Sequence, residues 1–280
     1  MSTEQITYLV FSIALILALV FDLGLLSRKN KIITIRQALK QTLFWVSLAL
    51  AFFVFMWIER GQKPALEYIS AYLMEWSLSI DNIFVFILIF SAFNVKEKHY
   101  SRVLLIGIMM AIVFRIIFIT VGVAAVESAE WVLLLFGAFL VYTGYKMFVA
   151  TDEAEFNPKE SKIYKFLQRF LPLAPHDGDG KFMMRENGRP IYTTLFVVVI
   201  LLAAIDLVFA LDSIPAVFGI SRDKLVIYTS NIFAVLGLRS LFFLLRGAVS
   251  KFDYLQQGIA IVLIFIGLKM LCEHWINMYL

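Results

Sequence analysis

The stretch Glu75-Trp-Ser-Leu-Ser-Ile-Asp81-Asn82-Ile83 places two acidic residues six positions apart inside a long apolar segment. The arrangement recurs later as Asp206-Leu-Val-Phe-Ala-Leu-Asp212-Ser213-Ile214. In each copy the second acid is followed by a small polar residue and an isoleucine. Two matching acid pairs in apolar surroundings indicate an internal duplication.

The duplication continues beyond the acid pairs. Arg115 precedes Ile-Ile-Phe, and Arg239 precedes Ser-Leu-Phe-Phe, each in the apolar segment that follows its acid pair. The copies span residues 65–150 and 192–280, and each predicts three membrane spans. Because three is odd, the second copy is expected to be inverted relative to the first. Inverted repeats place a site near the bilayer midplane where the copies meet.

Composition supports a membrane protein. Hydrophobic residues make up 61% of the chain and charged residues 16%, whereas a soluble domain is near half apolar and a quarter charged. Apolar runs recur that are long enough to cross about 30 Å of hydrocarbon. We predict an all-α membrane protein with about eight transmembrane helices, two of them within residues 1–64. The predicted spans are residues 6–26, 41–58, 65–93, 102–125, 130–150, 192–220, 224–245 and 254–279.

Basic residues are distributed unevenly between the predicted loops. Eighteen Lys and Arg residues fall on one side of the membrane and four on the other. The positive-inside rule then places both termini outside the plasma (bacterial inner) membrane and the long basic loop, residues 151–191, in the cytoplasm. Within that loop, residues 159–171 predict a short basic amphipathic helix on the inner membrane face. Residues 176–180 predict a solvated turn, since they lack the frame of a calcium loop.

The buried acids need a chemical reason. A charged side chain at the bilayer centre costs at least about 2.5–3.5 kcal/mol. Six helical residues separate the acids of a pair by about 120° around the axis and about 9 Å along it, so a straight helix does not point both at one ion. Pro215 follows the second acid of its copy and removes one backbone hydrogen bond. We therefore hypothesise broken or kinked helices that bring the acids together.

The polar groups in these spans form a hard-oxygen set that suits Mg²⁺, Ca²⁺ or Mn²⁺. Four acids and two arginines leave a formal charge of −2, which one divalent ion or two protons would balance. The alternative is that these residues form structural ion pairs. Asp22 is expected to be an interfacial cap or a gate residue, and Asn231 to reach the site or to join helices by a hydrogen bond. The supporting or gating candidates are Ser79, Ser213, Arg115, Arg239, Asp22 and Asn231.

Both acid motifs closely resemble the signature motifs of the TerC family of integral membrane proteins, named for tellurium resistance. The segment Phe21-Asp22-Leu23 is also similar to the family's first span. The resemblance implies the lysine-exporter-like superfamily and, for several bacterial members, manganese export. Tellurite resistance and help in metallating other proteins are also attributed to members. By this resemblance the metal ligands would be Glu75, Asp81, Asn82, Asp206 and Asp212.

These patterns predict a membrane exporter of divalent cations, with Mn²⁺ the first candidate, rather than an enzyme. No cofactor is expected to be permanently bound, no nucleic acid is an expected partner, and the oligomeric state stays open. The chain has no GxxxxGK[ST] nucleotide motif, so inward protons carried by the same carboxylates would drive export. The alternative is a membrane scaffold or partner for metallation, assembly or tellurite resistance, working through the basic loop. A tellurite site is disfavoured because four carboxylates repel an anion.

Overall fold

The computed structural model of the chain describes residues 3–26, 33–149, 157–186, 188–246 and 255–279. These segments are almost entirely α-helical. A short loop region, residues 157–193, carries a 3₁₀ turn at Pro158–Glu160, a second one at Gly178–Gly180, and a two-stranded hairpin. The helices are α1 (Thr3–Leu26), α2 (Ile35–Arg60), α3 (Gln62–Ala92), α4 (Glu97–Ser128), α5 (Val132–Val149), α6 (Lys162–Phe170), α7 (Thr194–Ile220), α8 (Lys224–Leu245) and α9 (Leu255–Tyr279), and the strands are β1 (Met183–Glu186) and β2 (Arg189–Tyr192).

Six of these helices, α2, α3, α4, α5, α7 and α8, are long and apolar enough to cross a membrane. They correspond to the second through seventh predicted spans, and the all-α membrane class is confirmed. The first and last predicted spans are also helices, but their apolar stretches within the described part of the chain are shorter, Gln5–Leu17 and Gln257–Cys272. The total of eight crossings therefore stays a prediction.

The helices pack in pairs that link the two halves of the chain. Helix α3 packs on α8, α4 on α7, and α5 on α9, while α3 also meets α7 and α4 meets α8. A two-fold axis that exchanged α3, α4 and α5 with α7, α8 and α9 would produce this set of pairs. The inverted repeat itself stays a prediction. Helix α8 lies at the centre and is buried along nearly its whole length. Helices α1 and α2 lie outside the two units, with α2 packed on α3 and α8.

Helices α5 and α9 cross at glycines that let their backbones approach closely. A Cβ added to Gly267 would lie 2.6 Å from the carbonyl oxygen of Gly137, and one added to Gly144 would lie 2.8 Å from the carbonyl oxygen of Ala260. Small residues at helix crossings are how membrane helices gain packing energy where lipid is as apolar as the protein. The close packing of α5 against α9 therefore requires glycine at these positions, where a larger residue would not fit.

The loop region is more ordered than the sequence indicates. The predicted basic helix is confirmed as α6. The predicted solvated turn is instead docked on the start of α4: Asp177 pairs with Lys96 at 2.7 Å, and the carbonyl of Gly180 accepts a hydrogen bond from Arg102 at 2.9 Å. The Lys96 ammonium holds the pKa of Asp177 below its usual value. The β1–β2 hairpin was not predicted, although the Asn-Gly dipeptide at 187–188 is a hairpin signal.

Gly267→Ala should destabilise the bundle, because the new methyl group would meet the α5 backbone. Overpacking costs about 1–3 kcal/mol, so the melting temperature in detergent should fall. The matched control is Gly258→Ala in the same helix, where an added Cβ meets nothing within 4 Å. The control should be neutral or stabilised by up to about 1 kcal/mol, from better helix propensity. Equal melting temperatures for the two variants would contradict the close crossing.

Candidate cation site

A buried polar stripe on α3 faces a second one on α7. Glu75, Ser79 and Asn82 recur at the four- and three-residue spacing that places side chains on one helix face. Asp206 and Ser213, seven residues apart, share a face of α7 for the same reason. The two stripes meet where the Asn82 amide donates to Asp206 Oδ1 at 3.4 Å. These five residues, each at most 2% exposed, are called the polar seam below.

Arg115 enters the seam from α4 and pairs with both of its acids. Its Nε lies 2.8 Å from Asp206 Oδ2, and its Nη2 lies 3.1 Å from Asp206 Oδ1, which is a bidentate pair. Its Nη1 donates to Glu75 Oε1 and to Asn231 Oδ1, the latter at 3.3 Å. Arg115 is 1% exposed. One guanidinium thus joins four helices, α3, α4, α7 and α8.

The charges of this cluster do not cancel. Glu75 and Asp206 carry −2 when ionised and Arg115 carries +1, which leaves a formal charge of −1 at the centre of the bundle. Charged groups inside a membrane persist when they pair with one another, and charge-assisted bidentate bonds are the strong form of that pairing. The cluster is therefore held together by Arg115 and keeps a formal charge of −1 when both carboxylates are ionised.

Several oxygens of the polar seam have no hydrogen-bond partner within the described part of the chain. They are Glu75 Oε2, Ser79 Oγ, Asn82 Oδ1 and Ser213 Oγ. Buried polar atoms are nearly always partnered, and an exception calls for an explanation such as water or an ion. All four are hard oxygen atoms of the kind that Mg²⁺, Ca²⁺ and Mn²⁺ prefer. The seam therefore has the chemistry of a cation site.

The second acid of each pair lies elsewhere. Asp81 and Asp212 are half-buried, and Asp212 is hydrogen-bonded to the Thr143 hydroxyl of α5. Helices α3 and α7 are each continuous, and α7 runs unbroken through Pro215. The expectation of broken helices is therefore wrong, and a kink in either helix stays a prediction. Each pair keeps the divergence of about 120° that six helical residues impose, so each helix contributes one acid to the cluster and one to its flank.

The set of five metal ligands implied by the family resemblance is accordingly divided. Glu75, Asn82 and Asp206 lie together in the seam, whereas Asp81 and Asp212 flank it. Among the described residues no group of three or more His, Cys, Asp or Glu side chains is placed to hold a metal ion. A cation in the seam would need the serine and amide oxygens as well, and ligation by all five predicted residues stays a prediction.

The remaining candidates fall into three groups. Asn231 reaches the site through Arg115, as one of its two predicted roles requires. Arg239 is buried on α8 at 3% exposure. Asp22 belongs to α1, but its side chain lies outside the described residues. Sequence reasoning missed Thr143, because its contact with Asp212 joins two helices that are far apart in the chain.

Access to the site differs between the two ends of the bundle. A narrow void at Asp206, lined by apolar side chains that include Phe86 and Leu202, is too small to hold a water molecule. It lies toward the end where α3 meets the loop region, the loop end. At the opposite end an open cleft of about 510 Å³ is lined by the start of α3, Lys269 and Ile220. Since the acids of the seam are about 1% exposed, the site is closed to both ends.

Fold and site together define a polytopic α-helical membrane protein with a charged, closed cluster at its centre. The chain belongs to the TerC family of integral membrane proteins, whose family model matches residues 60–279. The family resemblance inferred from the paired acid motifs is thereby confirmed.

Three relatives illustrate the similarity. An uncharacterised membrane protein of Myxococcus xanthus, STKORF319, is 43% identical over 271 residues, covering 97% of this chain and 84% of the relative. An uncharacterised membrane protein of Rickettsia bellii is 38% identical over 270 residues, covering 96% of this chain and 89% of the relative. Alx of Escherichia coli K12, named as a candidate membrane-bound redox modulator, is 37% identical over 270 residues, covering 93% and 84%. No solved structure matches the chain.

Arg115→Leu should unfold at a markedly lower temperature than wild type, because it leaves two buried carboxylates without their cation. Breaking a buried pair in this way costs about 3–5 kcal/mol. Arg222→Leu, at an exposed position, is the matched control and should stay within about 0.5 kcal/mol of wild type. Arg115→Lys should restore part of the loss, since lysine keeps the charge without the bidentate fork. Thermal unfolding in detergent checks all three, and an unchanged Arg115→Leu would refute the role given to this ion pair.

Proposed function

We propose that the protein exports hard divalent cations, Mn²⁺ first among them, in exchange for protons. The observation that carries the proposal is the polar seam, whose two buried carboxylates and neighbouring serine and amide groups include four oxygens without hydrogen-bond partners. A dehydrated cation would supply a partner to oxygens of this kind. The donors of the seam are hard oxygen atoms, so its chemistry favours Mn²⁺, Mg²⁺ or Ca²⁺ over Cu⁺.

In this mechanism Arg115 stands in for the cargo when the site holds no metal ion. Its guanidinium already bonds both carboxylates, so a divalent ion that binds Glu75 and Asp206 must displace it. With Arg115 withdrawn, the two carboxylates carry −2, which matches one divalent cation. When the ion leaves, Arg115 returns and spares the carboxylates the cost of being buried without a partner. Arg115 thereby favours release of the ion and also stabilises the bundle.

The flanking acids lie beside opposite ends of the seam. Helix α3 runs toward the loop end and α7 runs away from it, because Phe93 after α3 contacts Tyr164 of the loop region, and Ile220 at the end of α7 lines the opposite cleft. Asp81 is therefore about 9 Å nearer the loop end than Glu75, and Asp212 about 9 Å nearer the opposite end than Asp206. We infer a path in which Asp81 and Asp212 hand the ion to and from the seam.

Energy for export has to come from outside the site. Moving a charge of +2 against an inside-negative potential costs about 4.6 kcal/mol per 100 mV. Carboxylates hold either a metal ion or a proton, so protons entering through the same acids would repay this cost. The basic loop region, which the positive-inside rule assigns to the cytoplasm, would put Asp81 on the entry side for the metal.

A second candidate function comes from the name of a relative. Alx of Escherichia coli is described as a candidate membrane-bound redox modulator. The 280 residues of this chain contain one cysteine, Cys272, so they hold no internal dithiol pair. A redox role for this chain would consequently act through another protein or through the metal content of the cell, and the basic loop region would be its contact surface.

Transport should fail when the acids of the path are neutralised. Mn²⁺ accumulation in inside-out vesicles should be abolished by Glu75→Gln or Asp206→Asn, and equally by Asp81→Asn or Asp212→Asn, while each protein still inserts. Glu127→Gln is the matched control, because Glu127 is exposed and pairs only at the bundle surface with Lys224. Wild-type transport by both the Asp81→Asn and Asp212→Asn proteins would refute the path. Wild-type transport by both seam variants would refute the site.

Arg115→Leu should gain more stability from Mn²⁺ than wild type does, because the ion no longer competes with a guanidinium. A ligand present at 100 times its dissociation constant stabilises by about 2.7 kcal/mol, and this shift should appear as a raised melting temperature. The double variant Arg115→Leu/Asp206→Asn should lose the effect. If Mn²⁺ leaves the melting temperature of Arg115→Leu unchanged, the displacement mechanism is wrong.

A further inference from the structure

Helix α6 is fastened to the bundle by one side only. Leu167 is buried at 7% exposure, and Ile163 and Tyr164 are half-buried beside it. The Tyr164 ring contacts the ring of Phe93, edge to face, with centroids 5.2 Å apart. At its start, the Ser161 hydroxyl accepts a hydrogen bond from the Tyr164 amide and caps the helix. The position of α6 relative to the spanning helices is thus defined by packing.

A second apolar side of α6 faces away from the protein. Phe166 is 61% exposed and Phe170 is 63% exposed. Their ring centroids lie 4.6 Å apart, so the two rings form one continuous apolar patch. Phenylalanine is among the residues most often fully buried in soluble proteins. Two adjacent exposed rings therefore indicate a surface that is covered by something other than water.

The patch is bordered by positive charge. Helical spacing places Lys162, Lys165 and Arg169 together on the side of α6 next to the two rings, and all three are exposed. The one acidic side chain between residues 157 and 170 is Glu160, which accepts a hydrogen bond from the Asn157 amide at 3.1 Å. Apolar rings beside a basic face complement a surface in which an apolar layer lies next to an anionic layer.

The location of α6 identifies that surface. Helices α3 and α7 are candidate membrane spans. Helix α6 packs against α7, and its Tyr164 contacts Phe93 at the end of α3. The ends of spanning helices mark the boundary between hydrocarbon and headgroups. A helix held at that depth, with exposed aromatic rings and adjacent basic residues, has the pattern of an interfacial amphipathic helix.

We propose that α6 binds the anionic phospholipid headgroups of the leaflet at the loop end. Phe166 and Phe170 enter the boundary between headgroups and acyl chains, and the basic side chains bind lipid phosphates. Such a contact would fix the loop region at the membrane surface and couple it to lipid composition. The proposal is independent of whether the polar seam transports cations.

The single cysteine makes a site-specific test practical. In a Cys272→Ser background, the full-length protein carries an environment-sensitive fluorophore at Phe170→Cys or, as a control on the far side of α6, at Gln168→Cys. Each protein is placed in nanodiscs of phosphatidylcholine alone or mixed with phosphatidylglycerol, with brominated acyl chains as the quencher. The label at position 170 should be quenched several-fold more strongly than the label at 168, and most strongly with phosphatidylglycerol.

Charge reversal separates lipid recognition from simple proximity. Lys162→Glu/Lys165→Glu/Arg169→Glu should remove the effect of phosphatidylglycerol, as should high salt. The matched control Arg185→Glu/Arg189→Glu, on the exposed hairpin, should retain it. Quenching at position 170 that does not depend on phosphatidylglycerol would overturn anionic recognition. A label that stays accessible to water-soluble acrylamide in every lipid mixture would overturn membrane contact and leave a protein partner as the occupant.

Discussion

The bundle depends on one ion-pair cluster, the guanidinium of Arg115 between Glu75 and Asp206. The cluster joins four helices at a buried point, where a charge without a partner would be costly. The bidentate geometry on Asp206 sets how α4 lies against α7, and the bond to Glu75 sets how it lies against α3. The apolar core packs around the cluster.

The two acids of each repeated motif have different surroundings in the structure. One acid of each motif is drawn into the centre by Arg115. The other, about 120° farther around its helix, remains half-buried on the flank, and because α3 and α7 are antiparallel the two flanking acids lie toward opposite ends. The repeated motif thus places one acid of each copy in the central cluster and the other beside one end of it, and the proposed transport path uses all four.

The periphery serves a different purpose from the centre. Helices α5 and α9 approach at glycines, which allows close contact without charge. At the loop end, Asp177, Lys96 and Arg102 hold the 176–180 turn on α4, while α6 turns its aromatic rings outward. The protein therefore has a charged cluster at its centre that joins its helices and an amphipathic edge suited to the membrane surface.

The sequence by itself determined the membrane class, the long apolar helices and the candidate residues of the site, because apolar length and acids spaced six apart can be read directly from the chain. The divergence of each acid pair was also predictable from the period of the α-helix. Only the tertiary structure decided which acid of each pair faces Arg115, that α7 continues through Pro215, and that Asn231 completes the cluster. These outcomes depend on contacts between helices that are far apart in the sequence, and local spacing carries no information about such contacts.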